Sequence, residues 1–572
     1  MGIREKHLPS PARLRRGVIA LLGLALFLAC AGEDYYAIVD RNVGKTVLLP
    51  SAISFIDSNH AEDIINGNLL ISPAAQEQYI KEYRLYWGKG SSVKLAGYGV
   101  LAVYPADGSP HTHTFADEPV PAGATHLLVY TANDEEEMDT PRAFDIPDLV
   151  VKMVRDINPG VNGSIPMNFL VYNGILYFAA TTVTEGIELW RSDGTTAGTY
   201  IVQDLNPGAA DTDPRDRIIF NGELYFRGIW PGAGTELLRY DGSSITLIKD
   251  INPGATGSNP GGFIVYNSKI YFFANDGTAS TELWMSDGTN PGTVMLKDIN
   301  PTGGSGVMGL TLFGSRIFFR ATDGVSGGEL WVSDGTLPGT TLFADIFSGA
   351  ASLPDQFTVV NNRLVFHADN GSDGRELYVT DGATWGQLMD IYPGITGSDP
   401  GFLAVMNNRL YFRADNGADG LELWVTDGTP ANTRQVFDIP TADGLVSTFE
   451  MGVLNDRLFY RATDGINGYE LWRSDGTAAG TSLVSDINLS GNSSPAGFRA
   501  FNGRMFFQAD DGVRGVELWA SDGTSAGTAL VADLNPGPGG SNPGNLFIYN
   551  NRLYFGANDG THGIELWVHY IK

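Results

Sequence analysis

The sequence predicts an all-β chain: a nine-bladed β-propeller of four-stranded repeats with Velcro closure, preceded by a small β-sandwich. Three observations predict it. A phrase close to ELWxSDGT recurs nine times, its glutamates falling at Glu188, Glu236, Glu282, Glu329, Glu376, Glu422, Glu470, Glu517 and Glu565, spaced 46 to 48 residues apart. That spacing lies in the propeller range for internal repeats. Each period also divides into four short apolar runs separated by Gly, Asn and Asp turns, the pattern of one blade. Finally, the strand types are out of step at the two ends of the repeat region, as a closed ring requires.

The chain begins with a basic stretch, Arg4, Lys6, Arg13, Arg15 and Arg16, followed by the apolar run GVIALLGLALFLA at 17–29. This run is shorter than the roughly 20 residues that span a bilayer, so residues 1–29 read as an export signal. Cys30, the single cysteine of the chain, follows at once. Residues Phe27 to Cys30, FLAC, resemble a bacterial lipobox, although Phe27 stands where Leu is usual. The resemblance implies lipidation of Cys30, a lipid bilayer as partner, and an outer-membrane or cell-surface location. Cleavage after Ala31 is the alternative and would give a soluble secreted protein. The folded domains after Cys30 have no cysteine, so they have no disulfides and must be stabilised by packing.

After a linker at 30–45, residues 46–144 form the expected β-sandwich. The runs YIKEYRLYWG at 79–88, GYGVLAVYPA at 97–106 and VPAGATHLLVYTAN at 120–133 read as strands, and about 100 residues suit such a module. It resembles the immunoglobulin-like and fibronectin-III modules of bacterial surface proteins. His111 and His113 within it read as a solvated pair on a loop. The acidic, proline-bounded segment 134–147 connects it to the propeller at 149–572.

One unit of the propeller reads DINPG (156–160) as a turn, NFLVY (168–172) as a strand and Asn173-Gly174 as a two-residue hairpin turn. ILYFAA (175–180), IELWRS (187–192) and TYIVQD (199–204) supply the other three strands. The first fourth-type strand, LVVKMVRD at 149–156, has no three strands before it, and the last unit ends at ELWVHYIK, 565–572, with no fourth strand after it. The N-terminal strand is therefore expected to complete the C-terminal blade, leaving no free edge. An open β-solenoid is the rival architecture, and the interrupted strand count argues against it.

These units are similar to the bacterial ELWxxDGT-repeat family of secreted or surface proteins. ELWMSDGTNPGT at 282–293, ELWVSDGTLPGT at 329–340 and ELWASDGTSAGT at 517–528 carry the motif throughout. ELLRYDG at 236–242, ELYVTDG at 376–382 and the truncated last copy depart from it. The resemblance implies a propeller fold at the cell surface and no particular activity.

Glu188, Trp190, Glu282, Trp284, Glu329, Trp331, Glu422, Trp424, Glu470, Trp472, Glu517, Trp519, Glu565 and Trp567 recur blade after blade. Each Trp is expected to fill the space between blades, and each Glu to accept hydrogen bonds from a neighbouring turn. A catalytic group is needed once, whereas a packing solution is needed in every blade. The loops between second and third strands carry Asp369, Asp373, Asp415, Asp419, Asp464, Asp511 and Asp559 among Asn and Gly, on the same rim as the DINPG turns. Their hard oxygens make Ca²⁺ a candidate cofactor there, and a ligand rim the broader expectation.

A net charge of −28 excludes nucleic acid as a partner, because phosphate binding needs a basic face. No catalytic residue is assigned. The propeller has three histidines, His367, His562 and His569, at unrelated blade positions, and Arg227, Arg320, Arg413 and Arg461 at one second-strand position. The expectation is a non-enzymatic surface protein whose propeller binds a glycan or protein. The alternatives are a hydrolase or lyase acting on extracellular polysaccharide, marked by a non-repeating cluster of acids and arginines at one channel mouth, and a structural envelope protein.

Overall fold

The computed structural model describes residues 149–439 and 450–571, and, before them, 38–39, 46–47, 53–57, 64–74, 80–88, 93–119, 124, 126–133, 137 and 141–145. The signal segment at 1–29, Cys30 and most of the linker at 30–45 lie outside the described residues. Among those described, no helix is long and apolar enough to cross a membrane.

Two compact units are separated, residues 68–113 and 123–146 belonging to the smaller one. In the smaller unit, Glu82–Gly88 pairs antiparallel with both Ala102–Pro105 and His126–Ala132, and the latter pairs with Arg142–Asp145. His111 and His113 open the strand His111–Pro119 rather than lying on a loop. His111 Nε2 lies 3.3 Å from Asp107, and His113 Nδ1 lies 2.8 Å from the Tyr104 hydroxyl, so both rings are held.

Among the described residues, the larger unit contains nine four-stranded antiparallel sheets, the blades of a propeller. Blade 1 consists of Met167–Tyr172, Ile175–Thr182, Gly186–Ser192 and Tyr200–Gln203. Its hairpin turn places Asn173 and Gly174 at φ 48° and 72°, the left-handed pair of a type I′ turn, whose twist matches the strands it joins. Blade 9 takes three strands from Gly544–Ile571 and its fourth from Leu149–Arg155. The borrowed strand reproduces even the local irregularity: its register shifts between Met153 and Arg155, opposite Trp567, as the fourth strand of blade 1 shifts opposite Trp190. Each first strand contacts the first strand of the next blade, and the ninth contacts the first, so the inner wall is continuous.

Cohesion comes from buried clusters, one at each interface between blades among the described residues. Alternation along the second strand supplies both sides. Leu176, Phe178 and Ala180 join Trp190 against blade 9, whereas Tyr177 and Leu189 face Leu224, Phe226 and Leu238 of blade 2. The departures from the motif keep this arrangement: Leu238 and Tyr378 occupy the tryptophan place in blades 2 and 5, both buried.

The polar letters of the motif build the turn between third and fourth strands. In blade 1, Asp193 Oδ1 accepts the Thr195 N–H at 2.9 Å and hydroxyl at 2.7 Å. The Ser192 and Thr199 hydroxyls are 2.7 Å apart, and Ser192 Oγ also accepts the Gly194 N–H at 3.0 Å. Gly194 sits at φ +91°, and a Cβ there would come within 2.3 Å of the Tyr554 hydroxyl from the preceding blade. Gly288, Gly335 and Gly476 meet Tyr225, Tyr271 and Tyr411 in the same way. The turn is thus the place where one blade receives its neighbour.

Removing a buried tryptophan from such an interface leaves a cavity that the stiff sheets cannot close. Trp331→Ala is expected to lower the unfolding free energy by about 3–5 kcal/mol, read from equilibrium denaturation. A loss no larger than that of a surface substitution would contradict the packing role of Trp331.

Candidate functional site

The repeated glutamates are fully buried in every blade apart from Glu422, which is 1% exposed. Each reaches the crossover that leaves its own blade for the next. Glu236 accepts the N–H groups of Ile251 and Asn252, both at 3.2 Å, and of Ser258 at 2.8 Å, and takes the Ser258 hydroxyl at 2.5 Å. Glu329 takes Ile346 N–H at 2.7 Å, Ser352 N–H at 2.9 Å and Ser352 Oγ at 2.6 Å. Glu376, Glu470 and Glu517 do the same with Ser398, Ser493 and Ser541. Glu565 repeats this across the ring closure, accepting Ile157 and Asn158 N–H at 3.0 Å and Ser164 Oγ at 2.7 Å. Trp190, Trp284, Trp331, Trp424, Trp472 and Trp567 are buried, and Trp519 is half-buried.

Burial opposes the charge that these hydrogen bonds favour, and it raises the carboxyls: Glu188 to about 7 and Glu422 to about 8. Glu188 has Thr212 where most blades have Ser, and accepts its N–H at 2.9 Å. Glu422 is pushed up further by Asp438 and Asp419, after burial itself.

The rim aspartates are engaged within their own loops. Asp369 Oδ1 accepts Gly371 N–H at 2.7 Å, and Asn370 donates to Asp373 Oδ2 at 2.8 Å. Asp415 and Asp419 form the same pair of contacts with Gly417 and Asn416. Asp464 takes the N–H groups of Ile466 and Asn467, and Asp511 those of Val513 and Arg514. Asp559 takes those of Thr561 and His562, and its Oδ2 lies 2.7 Å from His562 Nδ1. Among the described residues, no group of three or more His, Cys, Asp or Glu side chains is placed to hold a metal ion. These carboxylates build Asx turns, and tight turns draw on the same residues as calcium loops. The crossovers and the second-to-third loops do share one rim, as Asn158 Oδ1 accepting the Val183 N–H at 3.1 Å illustrates. In blade 7 they enclose a polar recess of about 440 Å³, lined by Asn467, Asp486 and Asn488, with Ile466 and Leu489 exposed at its lip.

The repeat breaks at one second-strand position on the inner side of this rim, opposite the start of the first strand. Register places Ala179, Arg227, Phe273, Arg320, His367, Arg413, Gln508 and Gly556 there. From blade 4 to blade 7 the position is continuously basic or imidazole, Arg461 following Arg413. Acids stand among these groups. Arg413 Nη2 lies 3.3 Å from Asp399 Oδ2, and Arg375 Nη1 lies 3.9 Å from Asp399 Oδ1. His367 is 4% exposed, and neither ring nitrogen has a hydrogen-bond partner. Burial and then Arg375 push its pKa down to about 4, opposed by Asp355 and Asp399, so the ring is neutral at neutral pH. Arg320, His367, Arg413 and Arg461 stand in four consecutive blades, a juxtaposition that chain order alone does not show.

No family model and no curated protein matches the chain. Solved structures match at low similarity. A puromycin hydrolase is 14% identical, with 61% of this chain and 58% of that one covered and a TM-score of 0.33. A puromycin-hydrolyzing peptidase of Mycobacterium tuberculosis is 11% identical over 64% of this chain and 60% of its own, with a TM-score of 0.33. The propeller domain of the Trilobed protease from Pyrococcus furiosus, described as having an open velcro topology, is 9% identical over 64% of this chain and 98% of its own, with a TM-score of 0.29. The expectation of a non-enzyme is corrected: matching structures include hydrolases and a prolyl endopeptidase, so a propeller does not set enzymes aside. At these similarities no peptidase activity transfers to this chain.

The raised carboxyls give a pH dependence with a defined sign. A carboxyl that binds its proton more tightly when folded adds stability below the unfolded pKa of about 4.5 and loses it as pH rises through the folded value. His367 and His569, both held near 4 by burial, act oppositely below the ordinary histidine range. Glu422→Gln is therefore expected to flatten the fall in denaturation midpoint between about pH 5 and about pH 8. An unchanged slope would mean that Glu422 carries no raised pKa.

Proposed function

We propose that this chain is an exported bacterial surface protein of the ELWxxDGT-repeat kind, anchored by a lipid on Cys30, whose propeller rim is a binding platform for a glycan or a protein. The observation that carries this reading is the break in the repeat at Arg320, His367, Arg413 and Arg461. The rest of the repeated phrase has a structural task in each blade: packing, crossover or turn. A run of cationic and imidazole groups that differs from blade to blade, His367 and Arg413 buried and Arg320 and Arg461 half-buried, answers no such task, and it lies beside the loop rim. Positions where a repetitive scaffold stops repeating are where one asymmetric site can be made.

The same interleaving of acids, guanidiniums and a neutral imidazole favours a second reading, a hydrolase or lyase acting on extracellular polysaccharide. Incubation with acidic and neutral polysaccharides, followed by assay of reducing and unsaturated ends, separates the two. Turnover supports the second reading, and retention without turnover supports the first.

The platform reading is tested on glycan and protein arrays, where the chain should bind a limited set of ligands. Silence on both would overturn it. Metabolic labelling with a fatty acid should mark the wild-type chain and not Cys30→Ala, which should move to the soluble fraction. A wild-type chain that is exported but unlabelled would overturn the lipid anchor and favour the soluble secreted form.

A further inference from the structure

A second break in the repeat stands on the loop rim at blade 7. The recess there lies between the loop joining Arg457–Thr463 to Tyr469–Ser474 and the crossover that follows Ser482–Ser485. Blades 8 and 9 bring a cation from the loop to the same place. In blade 8, Arg514 pairs with Asp511 of its own loop, and its Nε lies 3.5 Å from Asp533 Oδ2, where the crossover begins. In blade 9, His562 Nδ1 lies 2.7 Å from Asp559 Oδ2, and Asp156 stands close enough to act on the ring electrostatically. The loop cation thus faces the carboxylate that opens each of these two crossovers.

Blade 7 keeps both acids and lacks the cation. Asp464 takes the place of Asp511, its Oδ1 accepting the N–H groups of Ile466 and Asn467, both at 2.9 Å. Asn467 stands where the neighbouring blades have Arg514 and His562, and its short amide donates to Asp464 Oδ2 at 2.7 Å. Asp486, in the place of Asp533, lines the recess. Among the described residues it forms no ion pair, and its Oδ1 is buried without a hydrogen-bond partner. A carboxylate partly shut off from water and left unpaired favours any cation that can reach it.

The lips of the recess are an independent departure. Where other crossovers have Pro159, Pro207, Pro253 and Pro536, blade 7 has Leu489, which is 87% exposed. On the loop side Ile466 is 86% exposed. Asp204 and Asp250 also face no loop cation, but blades 1 and 2 keep the proline and place Thr184 and Gly232 where blade 7 has Ile466. Only in blade 7 do two large aliphatic side chains flank an unpaired crossover acid among the described residues. A side chain suited to this recess of about 440 Å³ has an apolar stem for the lips and a cationic head with several donors for the acids. Arginine has both, and its guanidinium is the group the protein itself uses in blade 8. The net charge of −28 favours the approach of a basic partner.

We propose that the recess of blade 7 receives an arginine side chain of a partner protein, the guanidinium reaching Asp486 and Asp464 and the stem lying between Ile466 and Leu489. This inference rests on the platform reading above and names the partner's chemistry at one point of the rim. An amino sugar would bring a cation without the stem, and the two lips would then have no role.

The test uses residues that the fold already carries in equivalent places. Asn467→Arg installs the loop cation of blade 8, and Leu489→Pro installs the residue found at Pro159 and Pro536. The purified full chain is applied to an array of end-blocked nonapeptides with a central arginine and varied flanks. Retained peptides are then titrated calorimetrically beside versions carrying citrulline, which keeps the shape of arginine without its charge. Agmatine and chitosan oligomers serve as cations from other sources. Retention of at least one arginine peptide is expected, weakened about tenfold or more by citrulline and by Asn467→Arg, and less steeply by Leu489→Pro, with thermal midpoints maintained. An array without a retained arginine peptide would overturn the proposal. So would equal binding of arginine and citrulline forms, undiminished binding by folded Asn467→Arg, or preference for agmatine or chitosan over every peptide. If glycans or other proteins bind on their arrays in those cases, the platform reading stands and only the arginine assignment falls. Silence on every array removes both.

Discussion

A carboxylate buried without solvent contact holds each crossover of this propeller, and the rest of the ring depends on it. The crossover leaves the outer strand of one blade and must deliver the chain to the inner strand of the next. Its N–H groups cannot join a sheet ladder, and unpaired buried amides destabilise by about 1–3 kcal/mol each. A glutamate on the third strand is long enough to reach them. Glu236, Glu329 and Glu517 each satisfy backbone donors at both ends of the loop, fixing the step from blade to blade. Desolvation opposes the charge in every blade, and the hydrogen bonds offset part of that penalty, least at Glu188 and Glu422, where one carboxyl oxygen has no partner.

The closure is the point at which this matters most. The borrowed strand Leu149–Arg155 is joined to blade 9 by a ladder and to blade 1 by the crossover that follows it. Glu565 grips that crossover through Ile157, Asn158 and Ser164, residues that are some 400 positions away in sequence. The N-terminal strand therefore enters a place already prepared by the same interaction as in the other blades. Tyr554 completes the fit from blade 9, its hydroxyl filling the space left by Gly194 in blade 1.

Such uniformity narrows where function can reside. The turn aspartates, the motif glycines and the rim carboxylates have structural partners in their own blades. Asp369 and Asp415, which looked like ligands in waiting, close their own loops. The site that remains is made by variation at a single second-strand position, where the side chain faces the next blade near the channel. Position 179 is alanine and position 556 glycine, while 320, 413 and 461 are arginine and 367 is histidine. A scaffold that tolerates Ala, Phe, Gln and Arg at one place imposes little there.

The sequence by itself determined the blade count, the strand order, the Velcro closure and the turn types. All of these follow from local signals: period, apolar runs, Asn-Gly pairs, and the mismatch of strand types at residues 149 and 572. The partition of the tryptophans and glutamates between packing and crossover was legible as well, because repetition implies a repeated need. Tertiary structure decided what the loop acids do and which arginines meet. An Asp in an Asx turn and an Asp facing a ligand have the same local sequence, and only the position of the neighbouring amide distinguishes them. Arg375, Asp399 and Arg413 are separated by 14 to 38 residues of chain and come together only where the crossover from blade 5 meets blade 6.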